Sequence, residues 1–203
     1  MNTADDYKGL KMRMPGLGGR TIGKLGATAV LMGGPDILTS LASGAIDAAE
    51  WICPVADLGL GMHQAAKFYY GPGWHEPSTL LDLSIDLKEW EGLDVDTQGL
   101  MMEMAKAFNV DVFSRFQALN GPALGKLLNE HGVALKTFPD ELLIALGNAA
   151  GEVMEERGSI NSQTKAICNH ILSFRKNIMD WSTKGESEFA RIRNLPFKFP
   201  DSV

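Results

Sequence analysis

Residues 44–77, GAIDAAEWICPVADLGLGMHQAAKFYYGPGWHEP, decide how this chain is read. The stretch sets two acid–aromatic groups, Glu50–Trp51 and Trp74–His75–Glu76, into short apolar segments. Glu50 follows small apolar residues and has no basic neighbour in sequence, so it sits where a buried element ends. A carboxylate in that position needs a cation, a donor network or a proton. Pro54 ends the extended segment GAIDAAEW, and Pro77 pushes Glu76 out of helical geometry. That excludes a zincin-type helix with two histidines one turn apart. On the residues alone, a proton-transfer pair, as in a small hydrolase or lyase, is the minor reading of His75 and Glu76.

Upstream, residues 10–14 alternate loosely and stop at Pro15-Gly16, which predicts a short strand ending in a turn. Arg13 points from it toward the carboxyl end, where ligands collect in open α/β sheets, though on the residues alone a plain surface arginine is the favoured reading. Residues 18–24, GGRTIGK, imitate a phosphate-binding loop, but Leu25 stands where that motif needs a Ser or Thr hydroxyl. A glycine-rich turn leading into a helix through Leu25 is expected instead, then a buried strand over 27–32. Residues 36–43 read as a helix with Pro35 in the first turn and Gly44 closing it. The β-α-β order describes half of a small mixed sheet with helices on its faces.

Downstream, residues 55–68 read as a surface helix, 68–70 and 79–85 as strands, and 86–90 as a helical turn. Asp94 and Asp96 cap a helix from Thr97 to about Leu119, with Leu100, Met104, Phe108, Val112 and Phe116 on one row. The methionines there read as core fillers. Gly121-Pro122 is expected to break that helix and start another over 122–131. A strand over 133–138, a helix over 141–157 and a helix over 162–183 follow. Lys184-Gly185 ends the last one, leaving 189–203 as an irregular tail.

The chain has 203 residues, 45% of them hydrophobic, with 19 Lys plus Arg against 25 Asp plus Glu and a net charge of −6. This modest acidity excludes the clustered positive footprint of a nucleic-acid binder. No apolar run reaches membrane-spanning length, and the first residues lack the apolar core of a secretory signal. Cys53 and Cys168 are too few and too far apart for a zinc cluster; they read as buried small residues, with a long-range disulfide as the alternative.

The segments AAEW (48–51), YYGPGWHEP (69–77) and KGLKMRMPG (8–16) resemble the core of the DctP-type substrate-binding proteins of TRAP transporters, most closely the 2-oxoacid-binding branch. The resemblance runs from about Lys8 to Trp181. It implies an α/β, periplasmic-binding-protein-like (type II) two-lobed fold, incomplete here, with a helix-rich C-terminal half. Residues 1–54 would be a second-lobe β-α-β segment, 55–96 a crossover and strand region, and 97–203 a helical region packing on both lobes. By the same resemblance the chain is a carboxyl-terminal portion lacking most of the first lobe, expected by itself to bind poorly and self-associate, and its full-length parent is periplasmic.

What the resemblance implies for the site is specific. Arg13 grips a substrate carboxylate, and its fork can do so bidentately. Glu50 by its side chain and Trp51 by its backbone carbonyl coordinate a sodium or calcium ion that bridges to a 2-oxoacid such as pyruvate. Glu76 completes the polar wall, by hydrogen bond or through the cation, with Trp74 and residues 68–70 shielding it. The implied partners are a small carboxylate and the TRAP membrane permease subunits, with a homodimer also compatible, and no catalysis is implied. Arg20-Thr21 and Gly33-Gly34-Pro35-Asp36 depart from the usual pattern, the first at the cleft rim.

Overall fold

The computed structural model of the chain describes residues 1–77 and 82–198. Three short strands pair in parallel, with β1 (Lys11–Arg13) between β2 (Thr28–Val30) and β3 (Ala48–Ala49). The register sets Arg13 opposite Val30 on one side and Ala49 on the other. Parallel strands require crossovers, supplied by α1 (Gly16–Lys24) and α2 (Gly34–Ser43). Pro35 lies in the first turn of α2, and Gly44 closes it at φ 73°, a left-handed cap that glycine adopts without strain.

Two expectations change in this segment. Gly18 and Gly19 lie inside α1 rather than in a turn before it. A Cβ on Gly19 would run into the Met14 carbonyl and the Ala29 side chain, so the bare backbone lets α1 lie against the end of β1. The strand expected to be buried over 27–32 is shorter, and Thr28 and Ala29 are exposed. Among the described residues, strand β2 is the edge of this sheet and pairs only with β1.

The helix expected over 55–68 is divided into α3 (Pro54–Gly59) and a 3₁₀ turn at Met62–Gln64. Gly61 takes φ 72° between them and turns the chain. Asp57 is buried within α3 instead of facing solvent. Strands β4 (Phe68–Gly71) and β5 (Ala134–Thr137) form near their expected positions and pair in parallel as a second sheet. Of the strand expected over 79–85, residues 79–81 lie outside the described residues and 82–85 are irregular. The expected helical turn is α4 (Leu87–Glu91), capped by the Asp86 side chain, which accepts from the Lys88 and Glu89 amides.

Helix α5 (Val95–Asn129) is continuous, so Gly121-Pro122 does not break it. An interior proline costs about 3 kcal/mol or more. Burial of Ala123 and Leu127 immediately beyond it fastens the last turns and offsets that cost. The row expected to fill a core is instead largely outward: Leu100, Met104 and Phe108 are exposed and line a shallow apolar groove with Leu83, Met101 and Ala105.

The core of the first unit joins Tyr7, Met12, Met14 and Ile22 to Phe138, just before α6 (Asp140–Gly158), and to Leu142 and Leu146 within it. Tyr70 and Trp74 pack against it. The chain divides within α6 into two compact units, residues 1–150 and the residues from 151 on. In the second, Asn161 and Thr164 form a capping box for α7 (Ser162–Ser182). Lys184-Gly185 does not end the helical run, because a π turn at Thr183–Ser187 carries it into α8 (Glu188–Arg193). Gly185 leaves room there for the Trp181 ring, and a helical glycine costs only about 1 kcal/mol. The expected irregular tail therefore shortens to residues 194–198, with 199–203 outside the described residues. Cys53 and Cys168 are half-buried free thiols rather than buried or bonded ones. No described helix is long and apolar enough to cross a membrane.

Candidate functional site

Because β1 and β3 run parallel, their carboxyl ends open on the same edge. Arg13 is the last residue of β1 and Glu50 the first beyond β3, and the Glu50 amide donates to the Arg13 carbonyl at 3.1 Å. Their side chains form an ion pair between Arg13 Nη1 and Glu50 Oε1. The same nitrogen donates to the Glu50 carbonyl at 3.1 Å, and Arg13 Nε donates to the Met32 carbonyl at 3.3 Å. Both side chains are about nine-tenths buried, at 9% and 10% exposure. In that setting a lone charge of either sign would be strongly unfavourable, and the pairing satisfies both.

Trp51 lies over the guanidinium, with Arg13 Cζ 5.0 Å from the ring centroid. Gly34, at the start of α2, makes that placement sterically available. A Cβ at Gly34 would stand 2.8 Å from the Trp51 ring.

The loop after β4 brings the second acid–aromatic group to the same place. His75 Nε2 lies 3.1 Å from Glu50 Oε2, so Glu50 bridges Arg13 and His75. Trp74 meets His75 edge-on at 5.2 Å and packs on the core below, which fixes the loop to the same body as β1. Gly18 allows α1 to approach, since a Cβ there would be 3.3 Å from His75 Cδ2. One ligand atom each from Glu50, His75 and Glu76 lies within 4.8 Å of the others. The Glu50 and Glu76 carboxylates supply the oxygens that a hard cation such as sodium or calcium takes, while His75 Nε2 faces Glu50, so it is the two carboxylates that fit the ion the resemblance implies.

Arg13, Glu50, Trp51 and Glu76 thus come together around one sheet edge, and Trp74 stands behind them on the core. His75 engages Glu50, which differs from a simple acid–base pair with Glu76. The core beneath also holds the Tyr7 phenol, whose burial pushes its pKa up to about 12. The Trp74 indole is near enough to pull that value partly back without making a well-aligned hydrogen bond.

Sequence reasoning missed a second buried group. Asp57 is 7% exposed, accepts from the Tyr69 hydroxyl at 2.5 Å and accepts from the Ile52 amide at 3.3 Å. Burial raises its carboxyl above the usual range, opposed by those two donors and the Cys53 amide. Burial and the adjoining Asp57 charge also raise the Tyr69 phenol. The only signal in the sequence was an acid three residues after a proline in an otherwise apolar run.

Comparison with known proteins extends this geometry. The profile of DctP, bacterial extracellular solute-binding protein family 7, matches residues 1–159. The chain is 36% identical over 189 residues to the monocarboxylate 2-oxoacid-binding periplasmic protein all3028 of Nostoc sp. strain PCC 7120, covering 93% of this chain and 52% of that one. It superposes on a TRAP periplasmic solute-binding protein from Pseudoalteromonas atlantica T6c with bound sodium and pyruvate. That match has a TM-score of 0.87 and 30% identity, over 98% of this chain and 59% of the other. A TRAP periplasmic solute-binding protein from Colwellia psychrerythraea, with bound calcium and pyruvate, matches at a TM-score of 0.85 and 31% identity, over 94% and 58%. The chain therefore spans just over half the length of these relatives. Its α/β architecture is that of the corresponding part of these two-lobed receptors, which bind solutes rather than catalyse reactions. By the extent of the profile match and the agreement in fold, the chain belongs to the DctP family of bacterial extracellular solute-binding proteins.

Proposed function

We propose that this protein is the solute receptor of a TRAP transporter, taking a small 2-oxoacid such as pyruvate together with a sodium or calcium ion and delivering it to the membrane permease from the periplasmic side. The observation that carries this reading is the convergence of a buried guanidinium with Glu50 and Glu76 at one sheet edge. Arg13 offers a planar fork to a carboxylate, giving direction as well as charge. Glu50, the Trp51 carbonyl and Glu76 would be the oxygen donors for the cation. When bound, the ion would supply the positive charge that helps hold the 2-oxo acid. Here Arg13 and Glu50 satisfy one another. On binding, Arg13 turns its fork to the ligand carboxylate while Glu50 keeps a positive partner. Trp51 and Trp74 exclude water from the charged groups. Residues 1–54 act as the second-lobe segment, 55–96 as the crossover and the residues from 97 on as a helical region.

The test is calorimetric titration of pyruvate with and without sodium or calcium, in a chain of the relatives' full length that carries these residues. Wild-type binding is expected to require the cation. Glu50→Gln preserves shape and hydrogen-bonding capacity but removes a charge, so the cation dependence is expected to disappear before all affinity does. Cation-independent binding by the wild type, or unaltered dependence in Glu50→Gln, would overturn the reading.

A further inference from the structure

Asp57 is the buried carboxylate that this function leaves unused. Among the described residues it has no ion-pair partner, yet it is 7% exposed inside the short helix α3. Burying an unpaired carboxylate is costly, and a neutral Asn or Ser could serve the helix start without that cost. Its contacts show where the charge acts. Asp57 Oδ1 accepts from the Ile52 amide at 3.3 Å, and Asp57 Oδ2 accepts from the Tyr69 hydroxyl at 2.5 Å. The Ile52 N–H belongs to the same planar peptide unit as the Trp51 carbonyl, and in a trans peptide the two groups point in opposite directions. An acceptor fixed on the N–H therefore fixes the direction of the carbonyl. A charged acceptor also polarises the unit, strengthening the carbonyl oxygen as a donor to a cation.

Tyr69 gives this contact a second purpose. It lies in β4, registered by pairing with Leu135 of β5, and the same strand leads through Gly71 to His75 and Glu76. The Tyr69–Asp57–Ile52 chain thus ties the segment bearing Glu50 and Trp51 to the segment bearing His75 and Glu76. Asn120 of α5 braces the same point, accepting from the Val55 amide at 3.2 Å.

We infer that Asp57, held by Tyr69, is a positioning residue that sets the Trp51 carbonyl for cation binding and joins the two halves of the site. This rests on the proposed reading that the Trp51 carbonyl is a cation ligand. A purely structural Asp57 would move stability alone; a positioning Asp57 moves cation affinity in a chain that remains folded.

The test uses a chain of the relatives' full length that carries these residues, with terbium(III), an oxygen-seeking stand-in for calcium whose luminescence is sensitised by nearby tryptophan. Amide hydrogen exchange at Ile52 in the metal-free chain is read alongside. Wild type is expected to give a sensitised signal that calcium competes away, with a protected Ile52 amide. Asp57→Asn is expected to keep its circular dichroism, exchange Ile52 faster and lose about 10–100-fold in terbium affinity, the usual scale for removing the support of a metal ligand. Tyr69→Phe, which leaves Asp57 on the Ile52 amide, is expected to show a smaller fall in affinity, and it decides the matter if Asp57→Asn does not fold. Unchanged terbium affinity in a folded Asp57→Asn, or in Tyr69→Phe where the first variant is unfolded, overturns the inference. If Glu50→Gln abolishes the signal in the same series, that failure leaves the proposed function standing. A wild-type chain without sensitised signal, or with a signal that Glu50→Gln does not alter, overturns the cation reading and this inference with it.

Discussion

Replacing Arg13 by lysine separates charge from geometry. The arginine places one nitrogen on the Glu50 side chain and carbonyl and another on the Met32 carbonyl, while its plane lies against Trp51. Lysine retains the positive charge opposite Glu50, so the cost of about 3–5 kcal/mol for breaking a buried ion pair should not arise. It cannot reach both carbonyls and Glu50 at once, and the loss of one such contact and the stacking should cost about 1–2 kcal/mol of stability. Ligand affinity should suffer more, because an ammonium cannot offer two parallel hydrogen bonds to a carboxylate. One lost charge-assisted hydrogen bond is worth about 1.5–3 kcal/mol, or about 10–150-fold in Kd. Calorimetry with pyruvate at saturating cation measures the affinity, and urea melts measure the stability. Arg13→Met is the comparison and should incur the full orphaned-charge penalty. Unchanged affinity in a folded Arg13→Lys would remove Arg13 from the carboxylate site. A melt of Arg13→Met matching wild type would show that the Arg13–Glu50 pair does not carry the buried charge.

Two further outcomes can be checked directly. Gly34→Ala puts a methyl group 2.8 Å from the Trp51 ring, and such overpacking is expected to cost about 1–3 kcal/mol and weaken pyruvate binding by moving Trp51 off Arg13; urea melts and calorimetry read both. The Tyr7 pKa is raised from 10.0 to about 12, so the unfolded chain loses its proton first as pH rises. The folded state then holds more protons than the unfolded one, and stability falls with rising pH through that window. Tyr7→Phe should flatten this alkaline decline, as measured by denaturant melts across the range; an equal decline in the variant would place its cause elsewhere.

Much of the local structure was legible because it depends on short-range chemistry. Pro35 and Gly44 delimit α2 and Asp94 caps α5, each through contacts only a few residues apart. Expectations failed where distant packing overrode a local signal. Pro122 should have ended α5, but buried residues just beyond it hold the helix together. Gly18 and Gly19 resembled a turn, but their lack of side chains serves the approach of α1 to Met14, Ala29 and His75. The regular apolar row on α5 could report an amphipathic helix, but not whether anything covers it.

The site divides in the same way. The sequence by itself determined its chemistry: a guanidinium at a strand end, a carboxylate after a small-residue strand, and an acid–aromatic loop held by glycine and proline. Tertiary structure decided which of these groups meet. Arg13 and Glu50 stand 37 residues apart in the chain, and His75 and Glu50 stand 25 apart. Their contacts require the parallel register of β1 with β3 and the anchoring of the β4 loop through Trp74. Asp57 depended on tertiary structure altogether, since an acid in an amphipathic segment looks the same whether it faces water or is buried beneath Tyr69. Side-chain type records what a residue can bind, whereas burial and partners are set by elements distant in sequence, through a register that no single segment contains.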